Sequence, residues 1–145
     1  MKIILILALS IISSVSLSQT SDTIPKPVQT EPADNDNTIY TDVDSIASFP
    51  GGKKEWNKFI EKNLDAGVGV ENGAKKGTYN VKIKFTVTKD GSLKDFVPVT
   101  KYKHGFEEEV IRVLKLSPKW IPAKKNGKPV NSSVEQIQTF VIMLG

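Results

Sequence analysis

Ten residues in the middle of the chain constrain its fold more than any others. Tyr79, Val81, Ile83, Phe85 and Val87 alternate with Asn80, Lys82, Lys84, Thr86 and Thr88. A period of two with one apolar and one polar face predicts a strand that buries one side and wets the other. Lys89-Asp90-Gly91-Ser92 follows as a turn, in which Gly91 can take positive φ, and residues 93–99 return as a second strand. Pro98 cannot donate to a ladder, so that return strand is expected at an edge, or to end there. A half-wet antiparallel hairpin needs apolar cover on its other face, and the chain carries two segments suited to supply it.

The first is an amphipathic helix after Phe49-Pro50-Gly51-Gly52. Trp56, Phe59, Ile60 and Leu64 fall at i, i+3, i+4 and i+8, while Lys54, Glu55, Lys58, Glu61 and Lys62 face outward. The second places Phe106, Val110, Val113 and Leu114 on one helical stripe that Pro118 closes. Glu107, Glu108 and Glu109 occupy its first turn, where negative charge suits the helix dipole. Successive helical positions point about 100° apart, so these three read as capping charge rather than as metal ligands. Residues 65–76, rich in glycine, read as a loop. The chain ends with Trp120 and Pro122, a turn at Asn126-Gly127, and a last strand finishing in five apolar residues, 140–144.

The chain contains no cysteine and one histidine, His104. Disulfides, thiolate metal sites and cysteine nucleophiles are thereby excluded, and a lone His leaves a triad or zinc site nothing to assemble around. Gly67, Gly69 and Gly73 match neither nucleotide-binding spacing. The expectation is a non-enzyme with no cofactor. Residues 49–145 hold 18 basic residues against 10 acidic ones, a net +8, but Arg112 is their only arginine. Lysine is a hydrated point charge without the planar fork that reads phosphate or guanine, so nucleic acid is not the expected partner.

Lys2, the apolar run of residues 3–17, and small Ser16 and Ser18 before Gln19 have the layout of a secretory signal peptide over residues 1–18. Retention as an inner-membrane anchor is the alternative. Residues 19–48 carry one basic residue against six acidic ones, with three prolines. They are expected to form a disordered acidic linker reaching on the order of 100 Å when extended. The folded domain is then expected over residues 49–145.

Together, Phe49-Pro50-Gly51-Gly52, Asp90-Gly91, Pro118-Lys119-Trp120 with Pro122, and Asn126-Gly127-Lys128-Pro129 resemble the C-terminal domain of the TonB energy-transducer family, in the form found in Bacteroidetes-type envelopes. The resemblance implies an α+β fold of order α-β-β-α-β, two helices on a three-stranded antiparallel sheet. It also implies that the last strand lies at an edge and pairs with the TonB box, an extended peptide of an outer-membrane receptor. An open edge offers unpaired backbone groups that template another strand, so the residue-level reading agrees.

On this resemblance the partner-binding residues are Glu135, Gln136, Ile137, Gln138, Thr139 and Phe140. Gln136 and Gln138 flank Ile137, whereas Phe140, Ile142 and Leu144 are out of phase with Ile137. A bulge between Ile137 and Phe140 is expected to return Ile137 to the core and leave residues 135–139 as the open edge. The implied partners are a TonB-dependent outer-membrane receptor and, for an anchored chain, inner-membrane proton-driven motor proteins. A homodimer through the same edge is a further expected assembly. The location implied is the periplasm or export from a Gram-negative cell. The competing reading is a non-transducing exported module that kept the fold to bind another protein.

Overall fold

A computed structural model describes residues 37–143. The signal-peptide reading and most of the linker lie outside the described residues. Among them, no helix is long and apolar enough to cross a membrane.

Helix α1 (Gly52–Asn63) buries Trp56 and Ile60. A one-turn helix α2 (Val68–Glu71) lies within the segment read from sequence as a loop. Strands β1 (Gly77–Val87) and β2 (Leu93–Pro98) form the expected antiparallel hairpin. Helix α3 (Phe106–Leu116) follows, then a small hairpin of β3 (Ala123–Lys125) and β4 (Lys128–Val130), then β5 (Ser132–Ile142). The main sheet has the order β2-β1-β5. Helix α3 packs on the face bearing Val81, Ile83, Phe85 and Val87, all buried, and Trp56 and Ile60 of α1 join the same core cluster. This is the α+β arrangement expected from the sequence, with the β3–β4 hairpin added. Asn126 (φ 51°) and Gly127 (φ 74°) turn that hairpin with both central residues left-handed, as a two-residue turn between right-twisted strands requires.

The sequence motifs meet in space. Trp120 packs edge-on to Phe85 at 5.4 Å and to Trp56 at 5.6 Å between ring centroids, and Phe49 lies 5.3 Å from Trp56. Phe49, just ahead of α1, and Trp120, just after α3, thus share one aromatic cluster. The Asp90-Gly91 turn docks on the same Trp segment: the Trp120 N–H donates to the Gly91 carbonyl at 2.8 Å. Lys119 Nζ and Ser92 Oγ each donate to Asp90 Oδ2 at 2.8 Å, and Thr88 Oγ1 donates to Asp90 Oδ1. The Lys119 hydrogen bond, then those from Thr88 and Ser92, hold the Asp90 carboxyl well below the usual carboxylate range.

Two of the three consecutive glutamates do more than cap the helix. Glu107 is buried and accepts from the Tyr102 N–H at 2.9 Å. Glu109, also buried, accepts from the Asp65 N–H at 2.7 Å and from both Nε and an Nη of Arg112, which donates onward to the Asn63 carbonyl at 2.6 Å. The Arg112 hydrogen bond is the first cause that lowers the Glu109 pKa below its ordinary 4.5, outweighing burial. A depressed carboxylate stabilises the fold fully above its unfolded pKa and loses that contribution as pH falls through the folded value. Denaturant titrations should therefore show stability dropping as pH is lowered below about 4.5, the ordinary glutamate value. Glu109→Gln should flatten that drop while lowering stability at neutral pH by about 2 kcal/mol. An unchanged acid slope in the variant would remove Glu109 from the account.

One boundary differs from the sequence expectation. Residues 40–48, read as part of a disordered linker, run as a strap along the β3 edge. Ser48 and Ile121 exchange two backbone hydrogen bonds, of 3.0 and 2.8 Å, and the Asp44 N–H donates to the Lys124 carbonyl at 2.8 Å. Asp44 Oδ2 accepts from the Asn126 N–H at 2.6 Å, and Lys125 Nζ lies 3.2 Å from Asp42 Oδ2. Backbone pairing supplies most of the order, and Ala47, buried in the core, with Tyr40 and Val43 packed against it, adds a few sparse side-chain anchors.

Candidate functional site: an open strand edge beside an aromatic groove

β5 pairs with β1 without interruption, from Gly77 opposite Ile142 to Val87 opposite Ser132. No bulge interrupts it, which corrects the expected one between Ile137 and Phe140. The irregularity in the sheet lies in β2 instead, where the register shifts between Lys84 and Thr86 and Asp95 takes φ 56°. Ile137 consequently stays on the solvent face, 53% exposed. Phe140 is core, packing on Phe106 at 4.7 Å between centroids.

The direction of each backbone group follows from one residue. The Lys82 carbonyl accepts from the Val99 N–H at 2.9 Å and the Lys82 N–H donates to Thr100 Oγ1 at 3.0 Å, so Lys82 turns its peptide groups toward the β2 side. Backbone groups alternate along a strand, so Val81 and Ile83 turn theirs toward β5. Their partners Gln138 and Gln136 point inward, and Glu135, Ile137, Thr139 and Val141 point outward. The Asn131 carbonyl fits this phase, because it accepts from the Tyr40 N–H of the strap at 2.8 Å. Tyr40 also forms a parallel bridge with Ser132, so the strap covers only the start of the edge. Among the described residues no strand pairs with β5 beyond it on that side. The side-chain amides of Gln136 and Gln138 reach the outward carbonyls of Ile137 and Thr139 at 3.3 and 3.4 Å, long and replaceable contacts.

Of the six residues singled out in the sequence, three present outward peptide groups: Glu135, Ile137 and Thr139. Gln136 and Gln138 carry their side chains toward the helices, and Phe140 belongs to the core. Val141, which sequence reasoning missed, extends the edge by one outward position; its signal was the same alternation that marks Ile137 and Thr139. On the solvent face Lys82 pairs with Glu135 at 3.5 Å and Thr139 Oγ1 donates to Asn80 Oδ1 at 2.8 Å.

Beside this edge lies a groove of about 410 Å³. Its floor includes Val134, Gln136 and Gln138 of β5, and its walls are the strap at Ile46 and Ala47 and the aromatic rings of Phe49 and Trp56. Among the described residues no group of three or more His, Cys, Asp or Glu could hold a metal ion. His104 packs near Tyr79 and Phe106, with Nδ1 2.9 Å from the Asn72 carbonyl.

Residues 75–142 match the family of the Gram-negative bacterial TonB protein C-terminal. That span runs from just before β1 to the last residue of β5. This segment belongs to the TonB C-terminal domain family. No curated protein matches the chain. The TonB C-terminal domain is a transport-associated, non-enzymatic domain of the Gram-negative envelope, and its members generally interact with outer-membrane receptors. The strap and α1 precede the matched span, so one wall of the groove is built from residues outside it.

Proposed function

We propose that this chain is a TonB-like envelope protein that binds an extended peptide of an outer-membrane receptor by strand addition to β5, in support of energised transport. The observation that carries the reading is the row of outward peptide groups at Glu135, Ile137, Thr139 and Val141, left unpaired by any described strand on a fully registered edge. Four outward residues supply up to eight donors and acceptors to an incoming strand, and main-chain pairing of this kind provides affinity independent of sequence. The basic domain, net +8 over residues 49–145, favours a segment with acidic residues near its pairing stretch.

The test is an amide NMR titration of the full-length chain with peptides copied from the periplasm-facing segments of the receptors of its own genome. Shifts concentrated on residues 135–141 are the expected result. Silence from every such peptide, or shifts confined to β2, contradicts the reading. Energy transduction requires in addition an anchored N-terminus. Mass spectrometry of the protein recovered from membranes reads this directly: residues 1–18 retained fits a transducer, while a mature start at Gln19 moves the function to an exported protein-binding module on the same edge.

A further inference from the structure

Edge pairing alone is blind to side chains, yet the β5 edge borders a groove whose lining is mixed but includes the apolar Ile46, Phe49, Trp56 and Trp120. Resting on the strand-addition reading, we infer that this groove selects its partner by side chain: the bound segment places large apolar residues at alternate positions, opposite Gln136 and Gln138. Residues directly opposed across a ladder share a face. A strand added at the edge therefore sends the side chains opposite Gln136 and Gln138 to the helix face of the sheet, into the groove. Those two positions are about 6.6 Å apart along the new strand. The groove, at about 410 Å³, lies within the ~300–1,000 Å³ range of specific sites.

Three observations favour an extended chain as the occupant. The edge already holds one, since Tyr40 pairs with its first position in parallel. The groove is continuous with the open stretch of that edge, Gln136, Ile137 and Gln138 lining both. The sheet's helix face also carries glutamine at 136 and 138, where its neighbours Val134, Phe140 and Ile142 are apolar. Polar side chains in that phase mark the stretch where neither helix closes the core, and the groove fills the gap. Its wall at Ile46 is exposed and apolar, and exposed apolar surface bordering unpaired backbone marks an interaction site.

The experiment uses the full-length chain and two synthetic octapeptides. One alternates leucine with threonine between terminal aspartates; the other has serine in place of each leucine. Each buried leucine should contribute about tenfold in affinity, so the leucine peptide should bind about a hundredfold tighter when two enter the groove. Fluorescence of Trp56 and Trp120 should change with the leucine peptide alone, and Ile46→Asp should cut the preference severalfold without altering binding of the serine peptide. Equal affinities, with edge amides shifting and tryptophan silent, would leave strand addition standing and overturn side-chain selection. No shift from either peptide at about millimolar concentration overturns both. A tryptophan response without edge-amide shifts overturns the register assigned here.

Discussion

Gln138→Pro lowers the thermal midpoint by at least about 10 °C, whereas Ile137→Pro, one residue away, leaves it within about 5 °C of the parent and abolishes peptide binding. The contrast follows from which way each N–H points. Gln138 faces Val81 across the ladder, so proline there deletes a donor and leaves the Val81 carbonyl buried without its partner. An orphaned buried acceptor and the lost bond together amount to about 2–3 kcal/mol, and each kcal/mol moves a domain of this size by roughly 4–8 °C. Ile137 turns its N–H to the open edge, where proline is tolerated in natural sheets because no ladder bond is lost. The same ring removes one donor from the incoming strand and obstructs its approach, weakening binding at least about thirtyfold. Circular dichroism melts and the NMR titration, run on both variants, check the two halves. Equal destabilisation by the two prolines would mean that the phase of β5 is misassigned.

Gly91→Ala should lower the midpoint by about 15 °C, much more than Gly127→Ala. Both glycines have positive φ, +85° and +74°, which for an ordinary residue is worth about 1 kcal/mol or more. Only Gly91 adds a close approach. A Cβ there would sit 2.2 Å from the Trp120 carbonyl oxygen, whereas nothing lies within 4 Å of one at Gly127. Backbone cannot retreat as a side-chain tip can, so the Asp90-Gly91 turn must lift off Trp120. That movement breaks the Trp120-to-Gly91 hydrogen bond and pulls Lys119 from Asp90. With strain and clash together at about 3 kcal/mol, the difference between the variants isolates the docking. Matching melts for the two alanines would show that the turn does not bear on the Trp segment.

The hairpin, both helices and the Asn126-Gly127 turn were legible because each rests on a local signal. These signals were period two in β1, period 3.6 over Trp56, Phe59 and Ile60, and a dipeptide that tolerates left-handed backbone. The edge position of β5 came from the family resemblance and from no single residue. Two features escaped. The strap reads as linker because its order rests mainly on backbone pairing with Ile121, Lys124 and the start of β5, which leaves no mark in side-chain composition, and because Ala47, Tyr40 and Val43 are too sparse to signal a core. The supposed bulge at Ile137 came from assuming that every apolar residue near the end of a strand faces the core. Ile137 faces solvent, and the glutamines beside it occupy the helix-facing phase where that core is uncovered. Polar residues in a buried phase are thus the sequence signal of the groove.

Hydrogen exchange along β5 tests strand addition most directly, because the alternation makes opposite demands on neighbouring amides. In the free chain the amides of Gln136, Gln138 and Phe140 should exchange slowly, and those of Glu135, Ile137, Thr139 and Val141 quickly. Saturation with a receptor peptide that binds should slow the second set at least about tenfold while the first set stays as it was. Outward amides that remain fast under a bound peptide, or protection that appears on β2 instead, would contradict strand addition at β5.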